Sequence, residues 1–151
     1  MNTYIPLPNS SAGSPVQFSE PAAYSYENCH CCPRNCQINR TKKQGWCHSP
    51  AGIRAARAAL HPWEEPCISG LHGSGTIFFS GCTLRCCFCQ NYQISSEGFG
   101  KDISGTRLEE IFLELQAQGA HNINLVTPTQ YLPLLLPVLK RVKPQLSIPI
   151  V

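Results

Sequence analysis

Gly75-Thr-Ile-Phe-Phe-Ser-Gly-Cys82-Thr-Leu-Arg-Cys86-Cys87-Phe88-Cys89-Gln-Asn91 is the stretch around which the chain is organised. Its first part, Thr76 to Phe79, is a short apolar run rich in β-formers, and Gly75 and Gly81 punctuate its ends; it predicts a buried strand that runs straight into a loop. The loop offers three thiols as Cys82-x3-Cys86-x2-Cys89, compact enough to wrap one inorganic centre. Three is one fewer than a closed zinc site or an ordinary four-iron cluster takes from the protein. A cluster held this way leaves one iron without a protein ligand. That iron can bind a small molecule through an amine and a carboxylate, and S-adenosylmethionine (SAM), a cofactor of radical chemistry, has both. A zinc knuckle completed by Cys87 or a distant cysteine, and a disulfide scaffold, are the competing readings of the same residues.

The three-cysteine spacing, with Phe88 before its last thiol, resembles the radical SAM superfamily. The longer string narrows the resemblance: Trp63-Glu-Glu-Pro, Gly70, Gly73-Ser-Gly-Thr-Ile-Phe-Phe-Ser-Gly-Cys82, and Cys89-Gln-Asn-Tyr-Gln-Ile-Ser95. It is similar to the pyruvate formate-lyase activating enzyme-like branch, from about Tyr26 to the last residue. The resemblance implies a 4Fe-4S cluster on Cys82, Cys86 and Cys89, with SAM on the open iron. It implies reductive cleavage of SAM to a 5′-deoxyadenosyl radical, and an electron donor such as flavodoxin or ferredoxin. It also implies Phe88 beside the cluster and adenine, and, in activating enzymes, a glycine on a partner protein as the site of hydrogen abstraction. By itself Phe88 reads equally as a core aromatic. Cys87 is expected to point away from the centre.

With 151 residues, 42% hydrophobic and 14% charged, the chain can bury a core, and its net charge of +3 gives no case for nucleic acid. Ten cysteines without a signal peptide at Met1-Asn-Thr-Tyr-Ile-Pro predict a reducing, cytoplasmic setting, in which such spacing reads as metal binding. No apolar run is long enough for a membrane span; Pro133 and Pro137 interrupt the longest candidate. Arg34, Arg40, Lys42, Lys43, Arg54 and Arg57 fall between Asn28 and Trp63 with no acid among them, which suits the neighbourhood of a thiolate-ligated centre.

Three segments are expected: a flexible tail at 1–25, a Cys-rich metal-binding segment with a short helix and linker at 26–72, and an α/β unit at 73–151. In the second, Cys29-x2-Cys32-x3-Cys36-x10-Cys47 has spacing that can bring four thiolates to one centre. Zinc, a second iron–sulfur cluster and plain buried thiols all remain open for it. Cys31 is left out of the set, and His30 is a solvent-facing residue or a substitute ligand. Ser49 reads as the N-cap of an Ala-rich helix over 51–60 that ends at His61-Pro62. Glu64 and Glu65 read as a solvated pair; the resemblance implies that their segment packs against the cysteine loop.

In the third segment the region from Tyr92 to Ile103 reads as a loop. A helix follows, with a capping box at Thr106-x-x-Glu109, an apolar face of Leu108, Ile111, Phe112 and Leu115, and a stop at Gly119. A strand over 122–126, a Pro137-interrupted helix over 132–142 and the start of a strand at 146–151 complete the series. Strand, helix, strand, helix, strand predicts parallel βαβ units. The resemblance makes them the N-terminal half of a radical SAM partial (βα) barrel. Thr127, on the loop after the second strand, lies where relatives hold the SAM amino group. Helix capping explains it as well. Further barrel strands are absent, so a truncated product or fragment, inactive alone, is expected. The alternative function is a non-catalytic iron–sulfur or zinc module.

Overall fold

The computed structural model describes residues 25–151. The predicted tail therefore lies outside the described residues, Ser25 excepted. A four-stranded sheet carries the fold: β1 (Ile53–His61), β2 (Ser74–Phe79), β3 (Lys101–Ile103) and β4 (Ile123–Val126), in spatial order β3-β1-β2-β4. β2 and β4 are parallel, with Gly75 opposite Ile123 and Phe78 opposite Val126. β1 runs antiparallel to both β2 and β3, so the sheet is mixed where the sequence suggested parallel pairing alone. A one-turn helix, α1 (Pro66–Ser69), lies between β1 and β2, and past the last long helix, α4 (Leu132–Val142), the chain returns beside β4. Ile123 donates to Pro149 O at 2.8 Å and Val151 donates to Ile123 O at 2.7 Å, the start of another parallel pairing at the place expected.

Two long helices cover one face of the sheet. α3 (Gly105–Ala117) and α4 (Leu132–Val142) bury Leu108, Ile111, Phe112, Leu115, Leu135, Val138 and Val142 against Ile53, Ala55, Ala58, Ile77, Phe79 and Ile123. The expected helical face of α3 is the buried one. Removing apolar side chains of this size from water gives about 1.5–3 kcal/mol each, which makes this layer the main stabilising term. Gly75 sets how closely α3 approaches β2. A Cβ there would lie 3.0 Å from Ala120 Cβ and 3.1 Å from Leu115 Cβ.

Residues 53–61 are a strand, not the Ala-rich helix read from propensity. Tertiary context overrides the preference of alanine here. Ile53 and Ala55 face the helices, and the register shifts between Ala55 and Arg57, so that Ala58 comes to face them in turn. A β-bulge of this kind hides the period of two from a sequence reader. The predicted loop over 92–103 contains a short helix, α2 (Tyr92–Ser95), and the edge strand β3. The cap of α3 is Ser104, whose Oγ accepts from the Arg107 N–H at 3.0 Å; Thr106 lies inside the first turn. α4 continues through Pro137 as one helix.

Candidate metal centre

The cysteine loop leaves the C-terminal end of β2, the edge at which βα loops assemble sites. Its foot is held from three sides. Ser80 O accepts from Tyr131 Oη at 2.8 Å, from Gln130 Nε2 at 3.3 Å and from Ser49 Oγ at 3.4 Å. Gln130 Nε2 also donates to Gly81 O at 2.9 Å and to Thr127 O at 3.0 Å. Gly81 has φ +78°, and a Cβ there would collide with Ser49 Oγ and lie 2.5 Å from Cys47 O, so only glycine serves. Ser49 is thus a buried brace of the loop, not the helix cap the sequence suggested, because the helix it would cap is a strand.

The N-terminal cysteine segment is built onto this loop. Cys82 N–H donates to Cys47 O at 3.2 Å, and Arg34 Nε donates to Thr83 O at 3.0 Å. The guanidiniums of Arg34 and Arg85 stand 4.5 and 5.3 Å from the ring centroid of Trp46. Arg85 Nη1 meets His48 Nε2 at 3.1 Å, and His48 Nδ1 lies 3.2 Å from Ser96 O. A guanidinium only donates, so His48 Nε2 accepts and Nδ1 carries the proton.

Behind this contact lies Arg40, 3% exposed. It donates to Gln130 O and to Pro50 O, and its guanidinium stacks 4.1 Å from the Tyr26 ring centroid. Burial works against its charge, yet the phenol of Tyr26 and the thiols of Cys47 and Cys29 hold its pKa above the ordinary arginine value. Burial, with Cys29 beside it, pushes the Cys31 thiol up to about 12.

Cys82, Cys86 and Cys89 share the one loop as free, half-buried thiols, and Cys87 between them is exposed. Cys89 N–H donates to Cys86 O at 3.2 Å, and Ser95 Oγ donates to Cys89 Sγ at 3.3 Å. Phe88 is 85% exposed, which removes the core-aromatic reading. Thr127 is exposed on the loop after β4, and no side chain caps the 3-10 turn at Thr129–Tyr131 that follows. Cys29 and Cys47 are buried, Cys32 and Cys36 half-buried. Cys31, left out of the sequence set, is as buried as Cys29 and lies against it, whereas exposed His30 pairs with Asn35.

The segment around Glu64 and Glu65 lies at the far end of β2 from Cys82, since His61 pairs with Ser74. The packing against the cysteine loop implied by resemblance is therefore not found. Glu64 is not merely solvated either, because it accepts from Asn124 Nδ2 at 3.1 Å.

Among the described residues no three His, Cys, Asp or Glu side chains are gathered around the position of a single metal ion. An iron–sulfur cube takes thiolates at separate corners, and three soft thiols on one short loop match its chemistry as donors. Sequence reasoning missed Gln130, Tyr131, Arg40 and Ser95. Arg40 was visible only as a member of a basic stripe, and Ser95 only as the end of a quoted string.

Comparison with known proteins bears on the same loop. The chain belongs to the 4Fe-4S single cluster domain family, whose model matches residues 68–148. It is accordingly a 4Fe-4S cluster-binding protein, and the matched segment contains Cys82, Cys86, Cys87 and Cys89 but none of the cysteines from Cys29 to Cys67. An uncharacterized protein of Methanocaldococcus jannaschii is 38% identical over 78 residues, which span 52% of this chain and 22% of that relative's length. No solved structure matches. Among the described residues no helix is long and apolar enough to cross a membrane.

Proposed function

We propose that Cys82, Cys86 and Cys89 hold the 4Fe-4S cluster and leave one iron for the amino and carboxylate groups of S-adenosylmethionine. This makes the chain part of a radical SAM oxidoreductase of the pyruvate formate-lyase activating enzyme-like branch. With both groups bound and one electron supplied, they would provide reductive cleavage of SAM to methionine and a 5′-deoxyadenosyl radical, the chemistry of hydrogen-atom abstraction from a substrate. The observation that carries the reading is the three-thiol loop at the end of β2, inside the segment matched by the family model.

The protein's own contribution is rigidity and charge. Gln130, Tyr131 and Ser49 fix the foot of the loop through Ser80 and Gly81. Arg34, through Thr83 O, and Arg85, a member of the loop, place positive charge on the cysteine loop. Exposed Phe88 offers a ring face to adenine, and exposed Thr127 a hydroxyl to the amino-acid end of SAM.

In the same reading β2, β4 and the strand begun at Ile150 open a (βα) half-barrel, and Cys29, Cys32, Cys36 and Cys47 hold a second iron–sulfur cluster, since these thiols are not gathered around one ion as zinc requires. An electron donor such as flavodoxin or ferredoxin supplies the electron, a protein glycine is the substrate, and the cytoplasm is the setting.

The test is anaerobic reconstitution of the full chain with iron and sulfide. A brown protein is expected, with an EPR signal after dithionite reduction that SAM perturbs, and with release of 5′-deoxyadenosine. Cys82→Ala, Cys86→Ala and Cys89→Ala should each abolish the SAM-responsive signal, and Cys87→Ala should retain it. A cluster indifferent to SAM, or one that survives all three changes, would refute the reading.

A further inference from the structure

We infer that Ser95 sets the reduction potential of the cluster through its hydrogen bond to Cys89, an inference that rests on the reading of Cys89 as a ligand. Among the described residues, this is the only hydrogen bond given by a side chain to a sulfur of Cys82, Cys86 or Cys89. The distance from Ser95 Oγ to Cys89 Sγ is 3.3 Å, within the reach of a hydroxyl-to-sulfur bond. The other acceptor for the hydroxyl is Tyr92 O, at 3.5 Å, a contact within its own turn. A ligating sulfur carries negative charge and therefore attracts the proton more strongly than a neutral carbonyl does.

The backbone that presents the hydroxyl is fixed, and fixed to the same loop. Ser95 N–H donates to Asn91 O at 2.9 Å, and Gly81 N–H donates to Ile94 O at 2.8 Å. Ser96 O is held by His48, which is held in turn by Arg85. The short helix α2 is thus clasped to both the foot and the middle of the cysteine loop. Ser95 itself is 7% exposed, so water does not compete freely for its hydroxyl.

The consequence follows from charge. One-electron reduction adds negative charge to the cluster, and part of it spreads onto the cysteine sulfurs. A donor aimed at a sulfur favours the reduced form over the oxidised one and raises the potential. Ser95 acts through Cys89 and is a positioning residue. Removing its hydroxyl makes the cluster harder to reduce.

Anaerobic redox titration of the reconstituted full chain, read by EPR of the reduced cluster, tests this. Ser95→Ala should lower the ratio of reduced to oxidised cluster at a fixed poise by about tenfold, which for one electron is about 59 mV. Ser95→Thr and Ser95→Val have nearly the same shape and differ in the hydroxyl. Thr should titrate close to wild type and Val close to Ala. The potential is read on whatever fraction assembles, so reduced loading of a variant does not obscure it. Equal potentials for the Thr and Val variants overturn the inference. If Cys89→Ala abolishes the signal while all Ser95 variants titrate as wild type, this inference alone falls. If Cys89→Ala retains a normal cluster, the ligand reading falls and takes the inference with it.

Discussion

Tyr131 is a fully buried side chain whose phenol reaches the foot of the cysteine loop. Burial raises its pKa from 10.0 to about 12, because the phenolate would lose its hydration. A group raised in the fold contributes stability that is complete below its unfolded pKa and is lost as pH climbs through the folded one. Tyr26 shifts in the same direction for the same first cause, and Cys31 rises from 9.0 to about 12. The metal-free, reduced protein should therefore unfold at a constant urea midpoint near neutral pH and at steadily lower urea above about pH 9. Tyr131→Phe should cost about 1 kcal/mol at neutral pH, from the lost bond to Ser80 O, and flatten the part of the fall between 10 and 12. At this scale the cysteine ligands were legible, since thiols at short fixed spacing have few uses. Gln130 was not, because nothing local marks a glutamine that will reach three carbonyls.

α3 shows what is legible at the scale of one element. Its apolar period told which face is buried, and Gly119 told where it stops, with φ +85° just past the end. The cap is displaced by two residues: Thr106-x-x-Glu109 has the spacing of a capping box, which Ser104-x-x-Arg107 lacks, yet the backbone enters the helix at Ser104. Ser104 is the residue with extended backbone, φ −76° and ψ 161°, and it takes the Arg107 N–H. Ser104→Ala should lower stability by about 1 kcal/mol in urea unfolding, whereas Thr106→Ala should change it by well under that amount. β1 is the opposite case. Its alanines favour a helix in isolation, and only the neighbouring strands β2 and β3 make an extended form the better one.

For the whole molecule, the joint between the N-terminal cysteine segment and the sheet matters most. Arg40 makes that joint by binding carbonyls on both sides, Pro50 O and Gln130 O, while its face rests on Tyr26. Arg40→Met keeps much of the volume and leaves two carbonyls without this donor. It should destabilise the protein by about 2–3 kcal/mol and speed hydrogen exchange of the backbone around Cys29 and Cys47. Arg40→Lys should recover little, because an ammonium cannot span two acceptors as a planar fork does. The buried site should also make the loss insensitive to salt. Unchanged exchange around Cys29 in Arg40→Met would show that the segment docks without this arginine.

The sequence by itself determined the strand that leads into Cys82, the thiol spacing, the amphipathic helix after it and the order of β2, α3, β4 and α4. Each of these rests on interactions between residues close along the chain, so a local pattern records them. Only the tertiary structure decided that residues 53–61 extend beside β2, that Trp63 to Pro66 lie at the far end of the sheet, that Gln130 and Ser95 converge on the cysteine loop, and that Arg40 backs Gln130. Those outcomes depend on hydrogen bonds and burial supplied by partners distant in the chain, which no local propensity encodes.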